Sequence, residues 1–290
     1  MKIKRNINLL AVLLLICLFF GSLYVSNNFI IVTNYGVLKK DIQNYFRIIQ
    51  ITDLHNSQFG NSNESLIKKV AAEHPDLILL TGDLLNSDEQ DTSIALELIS
   101  ELSKIAPTYA SYGNHEKEYE DNYGINLTTV FEEAGAKVLE FSYEDIEVNG
   151  QKLRIGGLYG YCTPAKYLKT GEANPKECEF LADFQSTDNP TLLLTHMPYS
   201  WIANDAISKW DIDCVFAGHD HGGQIRIPLL GGLYAPDQGW LPGKDCGLYY
   251  SKDGEKIMIL SRGLGSAGKI PRFNNIPEIV VVDIIPKDNK

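Results

Sequence analysis

The chain has no Cys-x-x-Cys pair, no internal repeat and no low-complexity tract, and it is short of basic residues. Its five cysteines are Cys17, Cys162, Cys178, Cys214 and Cys246, and their spacing argues against a thiolate metal site. Cys214 sits in an apolar run and reads as a core residue. Cys162 with Cys178 is a candidate disulfide for an exported domain, with the connectivity left open. Lysine and arginine total 26 against 37 aspartates and glutamates, a net charge of −11. Without Lys2, Lys4 and Arg5 the remainder carries 23 basic and 37 acidic residues, a charge of −14. Such a surface repels polyanions, which argues against long nucleic acid as a partner; plain solubility is the simpler meaning of the charge. The 290 residues, 44% of them hydrophobic, suffice for a sizeable core.

One long apolar run is present. After Lys2, Lys4 and Arg5 no charge appears until Lys39, and Leu9 to Val25 is apolar except for Gly21 and Ser22. At about 1.5 Å per residue a helix of roughly 20 such residues spans a bilayer core. A cleaved signal peptide is the competing reading, but no A-x-A-like site follows, and Ile16 stands where a lipoprotein signal before Cys17 wants a small residue. We therefore expect an uncleaved anchor at residues 1–32. Positive charge ahead of the span places the folded domain outside the cytoplasm, single-pass in the cell membrane. Residues 33–44 read as a polar tether, and 45–290, with no linker inside, as one domain.

Within that domain short apolar strands and amphipathic helices alternate. Arg47 to Ile51 reads as a strand, followed by a helix from Glu64 with Leu66, Ile67, Val70 and Ala71 on one face. Leu77 to Leu80, a helix from Ser93 to Ile105, and Thr108 to Tyr112 repeat the pattern, as βαβ units do. Asn149-Gly150 is a favoured hairpin turn between Ile146–Val148 and Lys152–Ile155. Further strands are expected at Thr191 to Leu194, Cys214 to Ala217, Leu248 to Tyr250, Lys256 to Leu260 and Ile279 to Ile284.

Five of the six histidines stand just past the ends of such strands, in Asp53-Leu54-His55, Gly113-Asn114-His115-Glu116, Thr195-His196 and Gly218-His219-Asp220-His221, with Gly82-Asp83 between the first two. An aspartate or histidine after a strand is ordinarily a turn or cap residue. A succession of them is different, because parallel strands deliver their carboxyl ends to one crevice. Mixed oxygen and nitrogen donors without thiolate suit a pair of divalent metals better than one structural zinc.

In this order and spacing the blocks resemble the calcineurin-like metallophosphoesterases over roughly residues 47–285. Gly222-Gly223-Gln224-Ile225-Arg226-Ile227-Pro228, Ser261-Arg262-Gly263-Leu264-Gly265, Pro271-Arg272-Phe273 and Pro277-Glu278 resemble the membrane-associated bacterial phosphodiesterase subgroup, some of whose members act on lipid-linked pyrophosphates. The resemblance implies an α/β fold, a four-layer αββα sandwich of two mixed sheets flanked by helices. It also implies two divalent metal ions, with Mn, Fe and Zn foremost. Asp53, His55 and His221 would hold one metal and Asn114, His196 and His219 the other. Asp83 would bridge them with one oxygen on each, and a hydroxide between the metals would attack phosphorus. His115 would serve the leaving group as catalytic residue. Asp220 departs from the subgroup's usual threonine, and as a spacer its side chain is expected to point away.

Glu116 reads as a helix cap or as a partner of His115, and His74 as a helix-terminus residue. Arg226, Arg262 and Arg272 fit either an anion grip or ordinary ion pairs. The exposed, partly apolar Gly231–Tyr234 and Trp240–Gly243 stretches suit a substrate groove, a lipid contact or core packing. The expected activity is therefore hydrolysis of a phosphodiester or pyrophosphate by a membrane-anchored enzyme, on a lipid-linked or envelope phosphoester. Two alternatives stay open: a phosphodiesterase or phosphatase of small soluble nucleotides, and a non-catalytic metal-binding adaptor. The sequence leaves the oligomeric state open.

Overall fold

The period-two alternation of the apolar strands builds two sheets that share one core. The computed structural model describes residues 2–160, 178–266, 268 and 270–287. The strands in chain order are β1 (Ile31–Lys39), β2 (Phe46–Ile51), β3 (Leu77–Thr81), β4 (Thr108–Ser111), β5 (Lys137–Val138), β6 (Ser142–Val148), β7 (Gln151–Leu158), β8 (Thr191–Thr195) and β9 (Cys214–Ala217). After four two-residue strands, β10 (Arg226–Ile227), β11 (Gly231–Gly232), β12 (Tyr234–Ala235) and β13 (Gly239–Trp240), come β14 (Gly247–Tyr250), β15 (Ile257–Leu260) and β16 (Glu278–Pro286). One sheet has the order β1-β16-β2-β3-β4-β5 and the other β14-β15-β9-β8-β7-β6. In the first, β2, β3, β4 and β5 are mutually parallel; in the second, β7, β8, β9 and β15 are.

The sheets pack face to face. Phe46, Ile48, Leu77, Leu79, Val280 and Val282 of the first meet Leu153, Ile155, Leu192, Leu194, Phe216 and Ile259 of the second. The alternate residues of the first sheet, Ile49, Ile51, Ile78 and Leu80, turn outward and are covered by α2 (Glu64–Ala72), α3 (Ser93–Ser103), α4 (Asn114–Tyr123) and α5 (Leu127–Glu133). Leu193, Val215, Met258 and Leu260 of the second turn towards α6 (Glu179–Phe184) and the segment 201–212. The fold is thus mixed α/β, two sheets flanked by helices, as expected. Gln50 ties the layers at the site's edge, donating to Thr81 Oγ1 at 3.0 Å and to the Ala217 carbonyl at 2.8 Å.

Two parts differ from the sequence reading. Most of the stretch read as a tether, 33–44, is β1, an edge strand paired in parallel with β16 from Ile31 opposite Glu278 to Lys39 opposite Pro286. Thr33, Tyr35, Val37 and Lys39 turn inward in alternation, a strand signal masked by their mixed polarity. The N-terminal run forms α1 (Lys2–Asn28), with side chains described at Leu10 and from Val12 onward. Among the described residues no helix is long and apolar enough to cross a membrane. Cys178 is disulfide-bonded, while Cys162 lies outside the described residues.

Candidate metal centre

Each ligand-bearing loop begins where a parallel strand stops: β2 leads to Asp53 and His55, β3 to Asp83, β4 to Asn114 and His115, β8 to His196, β9 to His219 and His221. The loops come from both sheets and meet at the shared edge of the sandwich. Asp53, His55, Asp83, His219 and His221 have φ angles of 52°, 47°, 53°, 72° and 48°. That left-handed region is costly for most residues, though Asp, Asn and His enter it more readily, and strain of about 1–3 kcal/mol per residue is typical of functional sites. The glycines have a spatial reason as well. A Cβ on Gly82, at φ 89°, would lie 2.8 Å from His196 Nδ1, and one on Gly113 would lie 2.7 Å from the Asp83 nitrogen. The two loops touch backbone to backbone.

Three groups of donor atoms each fall within 4.8 Å: Asp53, His55 and His221; His55, Asp83 and His115; Asp83, His196 and His219. Asp83 Oδ2 stands between the outer groups, 3.6 Å from His55 Nε2 and 3.0 Å from His196 Nε2. Asp83 Oδ1 is already engaged, accepting the His115 backbone N–H at 2.9 Å. Oδ2 thus faces both sides of the centre while Oδ1 also holds the β4 loop. His221 Nε2 lies 3.5 Å from Asp53 Oδ1 and 3.3 Å from His55 Nε2.

These contacts have the character of a cation site. Asn114 Oδ1 and His196 Nε2 are buried without a hydrogen-bond partner, an arrangement that costs about 1–3 kcal/mol per group unless something else binds them. Asp83 Oδ2 is close to His196 Nε2 but off its hydrogen-bonding line. Burial alone would raise the Asp53 and Asp83 carboxyls, yet neighbouring histidines, His221 and His196 at Asp53 and His196 and His55 at Asp83, hold both below the usual carboxylate range. Burial opposes a proton on His196, but Asp83 and Asp53 push its pKa up to about 10. The pocket's carboxylates demand positive charge, which divalent ions supply.

Groups behind the donors fix their direction. His196 Nδ1 lies 2.8 Å from the Thr81 carbonyl and His55 Nδ1 lies 3.1 Å from Asn86 Oδ1. With Nδ1 donating there, Nε2 presents its lone pair to the centre. Beside His219, Asp237 Oδ2 lies 3.5 Å from Nε2. Asp53 receives the His219 backbone N–H at 3.0 Å, tying the β2 loop to the β9 loop. His115 Nδ1 accepts the Ser87 N–H at 3.1 Å, so Nε2 carries the ring proton, and the ring meets His55 edge-on at 4.7 Å.

The structure brings together Asp53, His55, Asp83, His115, His196, His219 and His221, places Asn114 next to His115 at the start of α4 with its Oδ1 buried, and leaves His74 outside the donor groups. Arg226 pairs with Asp245 at 2.8 Å and Arg262 faces Glu278 at 3.8 Å, so both are ion-paired. Arg272 is fully buried, donates to the Gly265 and Arg262 carbonyls at 2.6 Å each, and approaches His221 Nδ1 at 3.4 Å. By sequence alone Glu116 is a cap or a partner of His115. It does cap α4, accepting the Gly113 N–H at 2.8 Å, and it also accepts the N–H groups of Asp83 and Leu84 at 2.7 Å each. The spacing of three residues from Gly113 signals a cap; nothing local signals the grip on a loop 33 positions away. Asp220 lines a cavity beside His221, its Oδ2 accepting from Gln238 at 2.6 Å, and its carboxylate belongs to none of the three donor groups.

A family model described as calcineurin-like phosphoesterase matches residues 46–223. The phosphodiesterase YaeI of Escherichia coli is 32% identical to this chain over 260 residues, covering 85% of this chain and 84% of that one. YkoQ, an uncharacterised metallophosphoesterase of Bacillus subtilis, is 29% identical over 238 residues, covering 80% and 81%. Among solved structures, the NAD nucleotidase of Haemophilus influenzae aligns with a TM-score of 0.49 at 18% identity, over 76% of this chain and 51% of that one.

Proposed function

As the chain belongs to the calcineurin-like phosphoesterase family and is a metal-dependent phosphoric ester hydrolase with two divalent metal ions, we propose that it cleaves a phosphodiester or pyrophosphate bond in a lipid-linked or envelope substrate, held at the membrane by α1. Asp53, His55 and His221 would hold one ion and Asn114, His196 and His219 the other, with Asp83 between them. When bound, the ions polarise the phosphoryl oxygens and bring the pKa of a water towards neutrality. Asn114 donates a neutral oxygen, which keeps the site open to an anionic phosphate. The proton on His115 Nε2 goes to the leaving oxygen, because Ser87 occupies Nδ1. The observation that carries this reading is the pair of buried, partnerless donors on Asn114 and His196.

In this reading α1 is the anchor, and the catalytic domain includes β1, which joins its first sheet. Supporting the anchor, Leu10, Leu13, Leu14, Leu15, Leu18 and Phe20 lie exposed on α1 with no protein covering them. The basic residues ahead of them support an extracytoplasmic domain.

The test uses the full chain purified in nanodiscs with Mn²⁺. Bis(p-nitrophenyl) phosphate should be hydrolysed faster than p-nitrophenyl phosphate, with EDTA abolishing both. Turnover confined to monoesters or to soluble nucleotides overturns the diester reading.

A further inference from the structure

A cavity of about 370 Å³ opens directly beside the metal centre. One end holds His221 and Asp220; the walls are Ile225, Leu233, Tyr234, Pro236, Trp240 and Ile270. Its volume is that of a small-molecule site, and its lining is mostly apolar, with Asp220, His221 and Gln224 the polar exceptions beside the Tyr234 ring. Asp220 is only 1% exposed and its Oδ1 has no hydrogen-bond partner, so a buried acceptor waits at the junction of apolar cavity and metal site.

The outer end is unusual for a protein surface. Trp240, Ile270 and Tyr234 are 73%, 57% and 47% exposed, and Leu229, Leu230 and Leu241 stand uncovered on the same loops. This surface continues into α1. Phe273, three residues past Ile270, packs its ring 5.1 Å from Phe19, and Asn27 of α1 both donates to the Arg272 carbonyl at 2.9 Å and accepts the Arg272 N–H at 3.2 Å. The segment that carries Ile270 at the cavity's outer end is thus packed against α1.

We propose that this cavity is the subsite for the apolar chain of an amphiphilic phosphoester, with Asp220 Oδ1 accepting an O–H or N–H of the same molecule between chain and phosphate. The metal centre takes the phosphate at the inner end while the chain leaves past Trp240 and Ile270 towards the bilayer side. The identity of the headgroup rests on the phosphoesterase reading; the cavity's preference for an alkyl chain does not.

The probes are n-propyl and n-octyl phosphate with the full chain in nanodiscs. Against bis(p-nitrophenyl) phosphate hydrolysis, n-octyl phosphate should inhibit at least ten-fold more tightly than n-propyl phosphate, burial being worth up to roughly four-fold per methylene. In the double variant Trp240→Ser/Ile270→Ser, both exposed positions that the fold tolerates, the difference should shrink to about three-fold or less. A second readout needs no metal or turnover. Trp201 and Trp210 are buried, so Trp240 is the exposed indole, and n-octyl phosphate should shift its emission to the blue in EDTA-treated protein but not in Trp240→Phe. Equal inhibition by the two phosphates together with no emission shift overturns the subsite. Release of Trp240→Ser from phosphatidylglycerol vesicles alongside that result would assign the patch to bilayer contact instead. Absent hydrolysis with an intact emission shift would remove the phosphoesterase reading and leave the alkyl subsite standing.

Discussion

Glu116 accepts the backbone N–H of Asp83 at 2.7 Å from a helix that begins at the next ligand loop. The same carboxylate holds Gly113 and Leu84, so one fully buried side chain sets the separation of two metal-binding loops. Its acceptors are all in use on amide protons, which is work an amide side chain cannot reproduce.

Glu116→Gln should therefore loosen the centre without emptying the pocket. A carboxamide turns an N–H₂ towards at least one backbone N–H, at a cost of about 1–3 kcal/mol. Metal affinity should fall by roughly 10- to 100-fold, as for other groups that orient ligands. Titration of the EDTA-treated protein with Mn²⁺, followed by calorimetry, measures both changes; wild-type affinity would assign Glu116 to capping alone.

Asp83→Asn separates the ligand role from the backbone role. Asparagine accepts the left-handed φ of 53°, so the fold should hold, while the loss of charge at Oδ2 should remove at least one metal per chain. Elemental analysis alongside circular dichroism checks this. Asp83→Ala adds backbone strain to the same loss and should melt lower than Asp83→Asn.

For His115→Asn the expectation is opposite: both metals stay bound while kcat falls about 10²- to 10⁴-fold. The loss should be larger for alkyl leaving groups than for p-nitrophenolate, which needs no proton. A loss independent of the leaving group would place His115 in substrate binding instead.

Asp237 supports His219 from the loop between β12 and β13, and Asp237→Asn should weaken the Asn114–His196–His219 ion selectively. Roughly ten-fold weaker binding of one of two ions, with the other unchanged, is the expected calorimetric result.

Away from the centre, burial raises the Glu140 carboxyl to about 7, with the Tyr159 N–H opposing. A folded pKa above the unfolded one favours the protonated fold, so this stability is present below about pH 4.5 and lost as pH rises through 7. Glu140→Gln should stabilise the fold at pH 8 by on the order of 1–2 kcal/mol, seen as a higher melting temperature, and change little at pH 4. The same offset at both pH values would show that ionisation of Glu140 plays no part.

The ligand loops were legible because each follows a strong apolar strand, and β2, β3, β8 and β9 lie where Ile48, Leu77, Leu192 and Cys214 place them. What escaped the sequence depends on contacts distant along the chain. β1 exists because β16, more than 200 residues later, offers it an edge. The His115 N–H on Asp83 Oδ1 and the Gln238 amide on Asp220 Oδ2 are likewise contacts that no local spacing announces. Positive φ at five ligands could not be read either, since aspartate and histidine adopt it only where neighbours force it.

Anomalous diffraction from crystals of the Mn²⁺-loaded protein tests the two-metal centre directly. Two peaks roughly 3.5–4 Å apart, flanking Asp83 Oδ2, are expected, one beside Asp53, His55 and His221 and the other beside Asn114, His196 and His219. A single peak, or two that do not share Asp83, would contradict it.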